Sequence, residues 1–425
     1  MISRYALFLG GVLTMPATLS GVLTAAERPA AAAATIPNAA VIYWQAFAVL
    51  PQPLTDPQKT QYEAAVSNPA SPVADELEPI VMSFENSLAA LSRAARVAAC
   101  DWNLDYEAGA ECLLPHLEKA RTLSKAALLR ARLGFAAGKN DKAIADVMAV
   151  LKLARDCGSS PLLVSLLVDA AIEKSATEVL AANLGRLSPG QLDQLAQAID
   201  ALPATPSPAD CIRQEGRMFG DWLARVIDAE AATVADPKLG GKVLAALFRI
   251  AGADADANEA ERRELFELLS VADVRESLRL LRADYERAAT IADMPAAERR
   301  GPWAEFEAGI SKAGPAGSRE QAMRVLSGSW MPAVAGFCDA EEAADVRRQL
   351  LLLAIKVQRQ GVDAIRGSTI PGHGPVEYRA TDAGFELSCC PGSTDKPVVL
   401  QVSHTGPWTA AANQTMQRTR NTIGR

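Results

Sequence analysis

The sequence predicts a mostly α-helical fold. Its helices read as stacked antiparallel hairpins, in an α-solenoid, tetratricopeptide-like or irregular-bundle arrangement, with a small C-terminal β hairpin. Three observations lead there. Apolar residues recur at helical spacing over most of the chain. Much of the apolar content is alanine, which favours closely packed helices, and aromatic residues make up only 5% of the 425 positions. The alternation of apolar and polar residues that marks strands gathers only after Gly367. At 49% hydrophobic and 22% charged, the composition is that of a globular chain. Its length suits two or three domains or one extended array.

The chain opens MISRYALFLGGVLTMPATLSGVLTAAERP. Arg4 precedes the apolar run Tyr5 to Leu13, small residues follow, and Thr24-Ala25-Ala26 before Glu27 suits a signal peptidase site. The expectation is an exported protein, periplasmic or extracellular, with residues 1–26 as signal peptide. The alternative keeps residues 5–26 as an uncleaved inner-membrane anchor, because that uncharged run approaches the ~20 residues that span a bilayer. Residues 27–37 read as an Ala-rich linker.

Next comes NAAVIYWQAFAVLP, Asn38 to Pro51. Asn38 is an N-cap and Pro51 closes the far end. At ~1.5 Å per residue this helix is too short to cross a membrane. Only Gln45 is polar, so the helix reads as a buried plug for the hairpins that follow. On that reading Trp44→Ala unfolds the N-terminal half.

Residues 38–203 form the first helical region. From Ile80 to Cys100 one stripe collects Phe84, Leu88, Leu91, Ala95 and Ala98. A second helix runs from near Leu113 to Gly138, a C′ glycine. Asn140 caps its successor, whose face is Ile144, Val147, Met148, Leu151 and Ala154, and which stops at Gly158. The next helix takes Ser160 as N-cap and Pro161 at N1, and ends at Gly185. Ser188, Pro189 and Gln191 open another with a capping box. Equal intervals separate Leu113 from Pro161 and Asp141 from Pro189, an architectural repeat of hairpins without residue-by-residue repetition.

After LPATPSP, helices resume over 209–366. One carries Met218, Trp222 and Val226. A long charged helix is expected from about Asn258 to Thr290, near 50 Å at ~1.5 Å per residue, its charges forming a solvated face. Shorter helices follow at Ala296 to Lys312 and Ser318 to Leu326. Asp339 with Glu342 reads as a capping box opening VRRQLLLLAIKVQRQG. Residues 367–408 form the β element: PVEYRATDAGFELS turns around Asp382 to Gly384, and PVVLQVSHT adds a third strand candidate. The tail 409–425 is polar and aperiodic, expected to be disordered.

The net charge of −7 argues against general binding to nucleic acid or anionic lipid. CDWNLDYEAGAEC, Cys100 to Cys112, is the metal candidate: Asp101, Asn103 and Asp105 stand at positions 1, 3 and 5 of a calcium loop. Tyr106 and Cys112 then occupy positions where that loop needs Gly and Glu. The competing reading is an interhelix loop in which Asp101 caps the chain and Trp102 plugs the core. Seven cysteines, without a C-x-x-C unit, fit neither zinc ribbon nor redox dithiol. Cys100 and Cys112 flank one loop that a disulfide can close, and Cys157 reads as a small buried hydrophobe. His116, in the first turn of a helix, is disfavoured as imidazolium by the helix dipole and reads as structural or exposed. His373 and His404 lie in or beside the β segment, and a Cys–His pair with Cys389 or Cys390 is the catalytic alternative. No G-x-S-x-G, H-E-x-x-H, P-loop or dinucleotide motif occurs.

Four stretches, NAAVIYWQAFAVLP, AACDWNLDYEAG with LLPHLEKAR, LLRARLGFAAGKNDKAIADVMAVLKLARDCG and VEYRATDAGFELS, resemble a group of exported, uncharacterised helical proteins of planctomycete bacteria. The likeness covers most of the chain after residue 37. It implies an α-helical secreted protein whose C-terminal hairpin is similar to the end of a type II secretion pseudopilin, with SCCPGSTDKP in place of the Asp- and Gly-rich loop. It brings no catalytic residues. The expected function is a non-enzymatic envelope scaffold that binds a protein partner or itself, touching the membrane only through an uncleaved N-terminal segment. The alternatives are an envelope hydrolase built from dispersed Asp, Glu and His, with His116 joined to Asp101, Asp105 or Glu107, and a calcium-stabilised structural module.

Overall fold

The computed structural model describes residues 37–404 apart from 52–54, 69–72, 234–265, 312–314, 316 and 332. The export segment 1–26, nearly all of the linker 27–37, the tail 409–425 and the start of the charged helix expected from Asn258 lie outside the described residues. Among those described, thirteen α-helices are joined by one small three-stranded antiparallel sheet, so the fold is mostly α.

Helix α1 is Ala39–Ala48. The Asn38 side chain accepts from Ala40 N at 3.0 Å and donates to the carbonyl of Asp101 at 2.8 Å, so one cap also fastens a distant loop. Helices α2 (Asp56–Ser67), α3 (Glu78–Ser83) and α4 (Glu85–Ala94) follow. Then come α5 (Pro115–Ala136), α6 (Asn140–Gly158) and α7 (Leu163–Ala181), in which α6 packs on both α5 and α7. Gly138, at φ 71°, ends α5 as its position predicts. Helix α8 (Pro189–Asp200) starts with the expected Ser188–Gln191 capping box, and Gln191 also donates to Asp141 at the start of α6 at 2.5 Å.

The second half holds α9 (Pro208–Thr233), α10 (Val271–Ala292), α11 (Arg300–Ser311), α12 (Arg319–Trp330) and the long α13 (Val334–Gln360). Strands β1 (Glu377–Thr381), β2 (Gly384–Cys389) and β3 (Val398–Ser403) pair in order, with Tyr378 opposite Leu387 and Leu387 opposite Leu400. Strand β1 is an exposed edge, while Phe385, Leu387, Leu400 and Val402 bury the inner face. That face, with the later part of α13, belongs to the same core as α1 to α8. A second core gathers α9 to α12 and the start of α13, and it includes Leu163 and Leu166 of α7. Helix α7 is therefore a wall shared by both cores. Its far end meets the sheet: a Cβ at Gly185 would lie 1.9 Å from the carbonyl oxygen of His404.

Several expected boundaries move, each because a tertiary partner replaces a local signal. The helix expected over Ile80 to Cys100 divides at Phe84, and the chain leaves α4 at Ala94 so that Ala99 can accept from Ala39 N at 2.8 Å. Ser160 does not cap α7. The helix begins at Leu163, and the carboxylate of Glu215, on α9, accepts from Leu163 N at 3.3 Å. Asn140 is not a cap but the first residue of α6, its amide donating to Arg186 O at 2.9 Å. The charged helix expected from Asn258 is interrupted after residue 267, and Ser270 and Asp273 form a capping box that opens a new helix at Val271. Asp339 and Glu342 sit inside α13, and their carboxylates bind Ser393 in the loop after β2.

Helix α1 corrects the plug expectation in part. Tyr43 and Phe47 are buried, but Val41, Trp44 and Val49 are 57%, 38% and 50% exposed. Trp44 rests edge-on against Phe47 and Trp102 at the margin of the core. The large loss assigned to Trp44 therefore moves to its neighbours. Phe47→Ala is expected to cost about 3–5 kcal/mol and Trp44→Ala about 1–2 kcal/mol, read from urea denaturation; equal losses would contradict this placement.

Candidate functional site

Helix α6 positions two buried ionisable side chains one turn apart, Lys152 and Asp156. The Lys152 ammonium donates to Asp156 Oδ1 at 2.5 Å, and the Tyr43 hydroxyl donates to Oδ2 at 2.8 Å. The main-chain carbonyl of the same residue accepts from the Trp102 indole at 2.7 Å. Burial raises the Asp156 carboxyl above its ordinary range, against the opposing pull of Lys152 and Tyr43. Burial also holds the Tyr43 phenol well above its usual value.

Trp102 is the aromatic centre of this end of the molecule. Its ring stacks with Tyr43 at 5.6 Å, with Phe47 at 6.3 Å and with His116 at 4.3 Å. His116 is fully buried, and neither ring nitrogen has a hydrogen-bond partner. Burial lowers its pKa to about 4, so the imidazole is neutral and serves as an apolar plate.

The calcium-loop candidates are occupied with backbone. Asp101 Oδ1 accepts from Asn103 N at 2.8 Å, Asn103 takes φ 51°, and Asp105 Oδ1 accepts from Glu107 N at 3.1 Å to cap the turn Tyr106–Glu111. That turn presses on α9: Gly109 has φ 56°, and a Cβ there would stand 2.1 Å from the Trp222 side chain. Among the described residues no three His, Cys, Asp or Glu side chains are grouped to hold a metal ion. The hydrolase constellation is not assembled either. His116 lies beneath Trp102, whereas Asp101, Asp105 and Glu107 are exposed.

All seven cysteines are free thiols, so Cys100 and Cys112 are not bridged. Burial pushes Cys100, Cys211 and Cys338 up to about 12 and Cys157 well above its ordinary value, opposite to an activated thiolate. The Cys–His pairs are absent. Cys389 donates to Gly374 O at 3.5 Å, while His373 Nδ1 lies 3.2 Å from Glu342 and 3.3 Å from Gly392 N. The His404 ring leans on Phe385 at 5.7 Å.

Beside the buried pair lies an open cleft of about 670 Å³, where α4, α5 and α6 meet the Ala201–Pro203 link. Its ionisable lining is Arg96, Arg130, Lys142 and Lys152 with Glu85 and Asp146. Arg130 binds Asp146 through two parallel bonds at 2.9 and 2.6 Å and Glu85 at 2.9 Å, a fixed fork. Arg96 and Lys142 are exposed and have no ion-pair partner among the described residues. On α6, Lys142, Ala145, Asp146, Ala149 and Lys152 share the face that lines this cleft. Their helical spacing was visible in the sequence, but a stripe of charged and small residues reads there as a solvated face.

Behind it, Arg155 binds Asp169 at 2.7 Å and Glu173 at 2.8 Å on α7. Burial, with the second carboxylate close by, raises Asp169 to about 7. Burial likewise raises Glu215 to about 7. Among the described residues no helix is long and apolar enough to cross a membrane. No protein-family model, curated protein or solved structure matches this chain.

The buried groups set opposed pH dependences. His116, lowered from 6.5 to about 4, contributes stability that is present above pH 6.5 and lost as the pH falls towards 4. Asp169 and Glu215, raised to about 7, contribute stability that is present at low pH and lost as the pH rises through 7. His116→Phe is therefore expected to gain about 3 kcal/mol on the parent between pH 7 and pH 4. Urea melts at stepped pH check this; a constant difference between the two proteins would contradict it.

Proposed function

We propose that this protein is a non-enzymatic helical scaffold, exported to the cell envelope, that binds another protein in the cleft between α4, α5 and α6. The observation that carries the proposal is the cleft itself: about 670 Å³ and open, lined by side chains from successive helices. Successive packed helices of this kind build concave surfaces for extended contacts. A binding role is also supported by how the nearby reactive groups are occupied. Arg130 holds two carboxylates, Asp156 holds Lys152 and Tyr43, and the buried thiols are protonated.

Lys142, exposed at the cleft, is a convenient crosslinking site. Amine-reactive crosslinking in the native host, followed by mass spectrometry, is expected to join Lys142 to a second protein. Lys142→Arg should lose that product and keep crosslinks elsewhere on the surface. Recovery of monomer alone under all conditions would overturn the proposal.

A further inference from the structure

The chemistry of the cleft defines the kind of segment that fills it. The chain carries a net charge of −7, yet four cations and two carboxylates line this cleft. Both carboxylates, Glu85 and Asp146, already lie on the single guanidinium of Arg130. Lys152, a buried residue of the cleft lining, gives one N–H to Asp156, and an ammonium has two donors more. Arg96 and Lys142 remain without ion-pair partners among the described residues. The cleft is thus locally cationic within an acidic protein, an arrangement that draws in negative charge.

The spacing of these charges selects for length. Lys142 and Lys152 stand ten positions apart on α6, which is ~15 Å along the axis at ~1.5 Å per residue. A single phosphate or carboxylate cannot meet both. An extended peptide rises ~3.3 Å per residue, so ~5 residues span the same distance. Between the cations the wall is built from Ala89, Ala145 and Ala149 beside Met148, small side chains that let a peptide backbone lie close.

We infer that the cleft takes an extended, carboxylate-rich segment of a partner protein, its acidic side chains paired with Arg96, Lys142 and Lys152. The inference rests on the scaffold proposal and specifies its partner. Both rim cations are exposed and without ion-pair partners among the described residues, so Arg96→Glu with Lys142→Glu should leave the thermal unfolding of the protein unchanged.

A random-peptide phage library selected on the full chain, and counter-screened on that double variant, separates the two levels. The expected result is enrichment of Asp- and Glu-rich peptides. Synthetic copies should bind the parent in a salt-sensitive manner and the double variant about tenfold or more weakly. Enrichment of neutral or basic peptides that need the cleft would overturn the acidic-segment inference and leave the scaffold intact. Failure to obtain any peptide whose binding depends on the cleft would overturn both.

Discussion

Everything at the N-terminal end converges on Asp156. A carboxylate in a helical core is costly unless its oxygens are matched by donors. Here one oxygen faces Lys152 from the preceding turn and the other faces Tyr43 from α1, while the backbone of the same residue receives the Trp102 indole. Three segments remote in sequence are thereby held in one relative position. Donors aimed at a buried charge allow few alternative arrangements, so the aromatic stack of Tyr43, Phe47, Trp102 and His116 packs in one way.

The same helix faces two environments. Inward, α6 contributes Asp156 and Arg155 to buried networks; outward, it contributes Lys142, Asp146 and Lys152 to the cleft. Lys152 belongs to both, since its ammonium reaches Asp156 and its side chain also lines the cleft. A bound carboxylate that draws on Lys152 would therefore act on the residue that positions α1 and Trp102. The cleft wall is carried on a helix whose position is set from behind.

Much of the fold was legible in the sequence. Helical periodicity located the helices, Asn38 and Ser188 marked true caps, Gly138 a true end, and the strands fall where alternation placed them. The failures share a cause. At Leu163, Asn140 and Asp339, groups far along the chain supply or receive the hydrogen bonds that a local cap would have made. The site was less legible still. Arg130 and Asp146 are sixteen positions apart on separate helices, and only their packing turns two ordinary surface residues into a fork. The calcium-like spacing of Asp101, Asn103 and Asp105 has a second physical meaning, because alternating Asx residues also stabilise tight turns through their own backbone. His116 was legible in kind, since the helix dipole and burial both disfavour its charged form.

The wall formed by α7 alters the meaning of the proline-rich link before α9. In the sequence, Leu202 to Pro208 looks like a seam between domains. In space, Leu163 and Leu166 lie in the second core while the rest of α7 serves the first, and Glu215 from beyond the link caps that helix. The seam is one of covalent connection alone. Neither half can change its contact face unless the other changes with it.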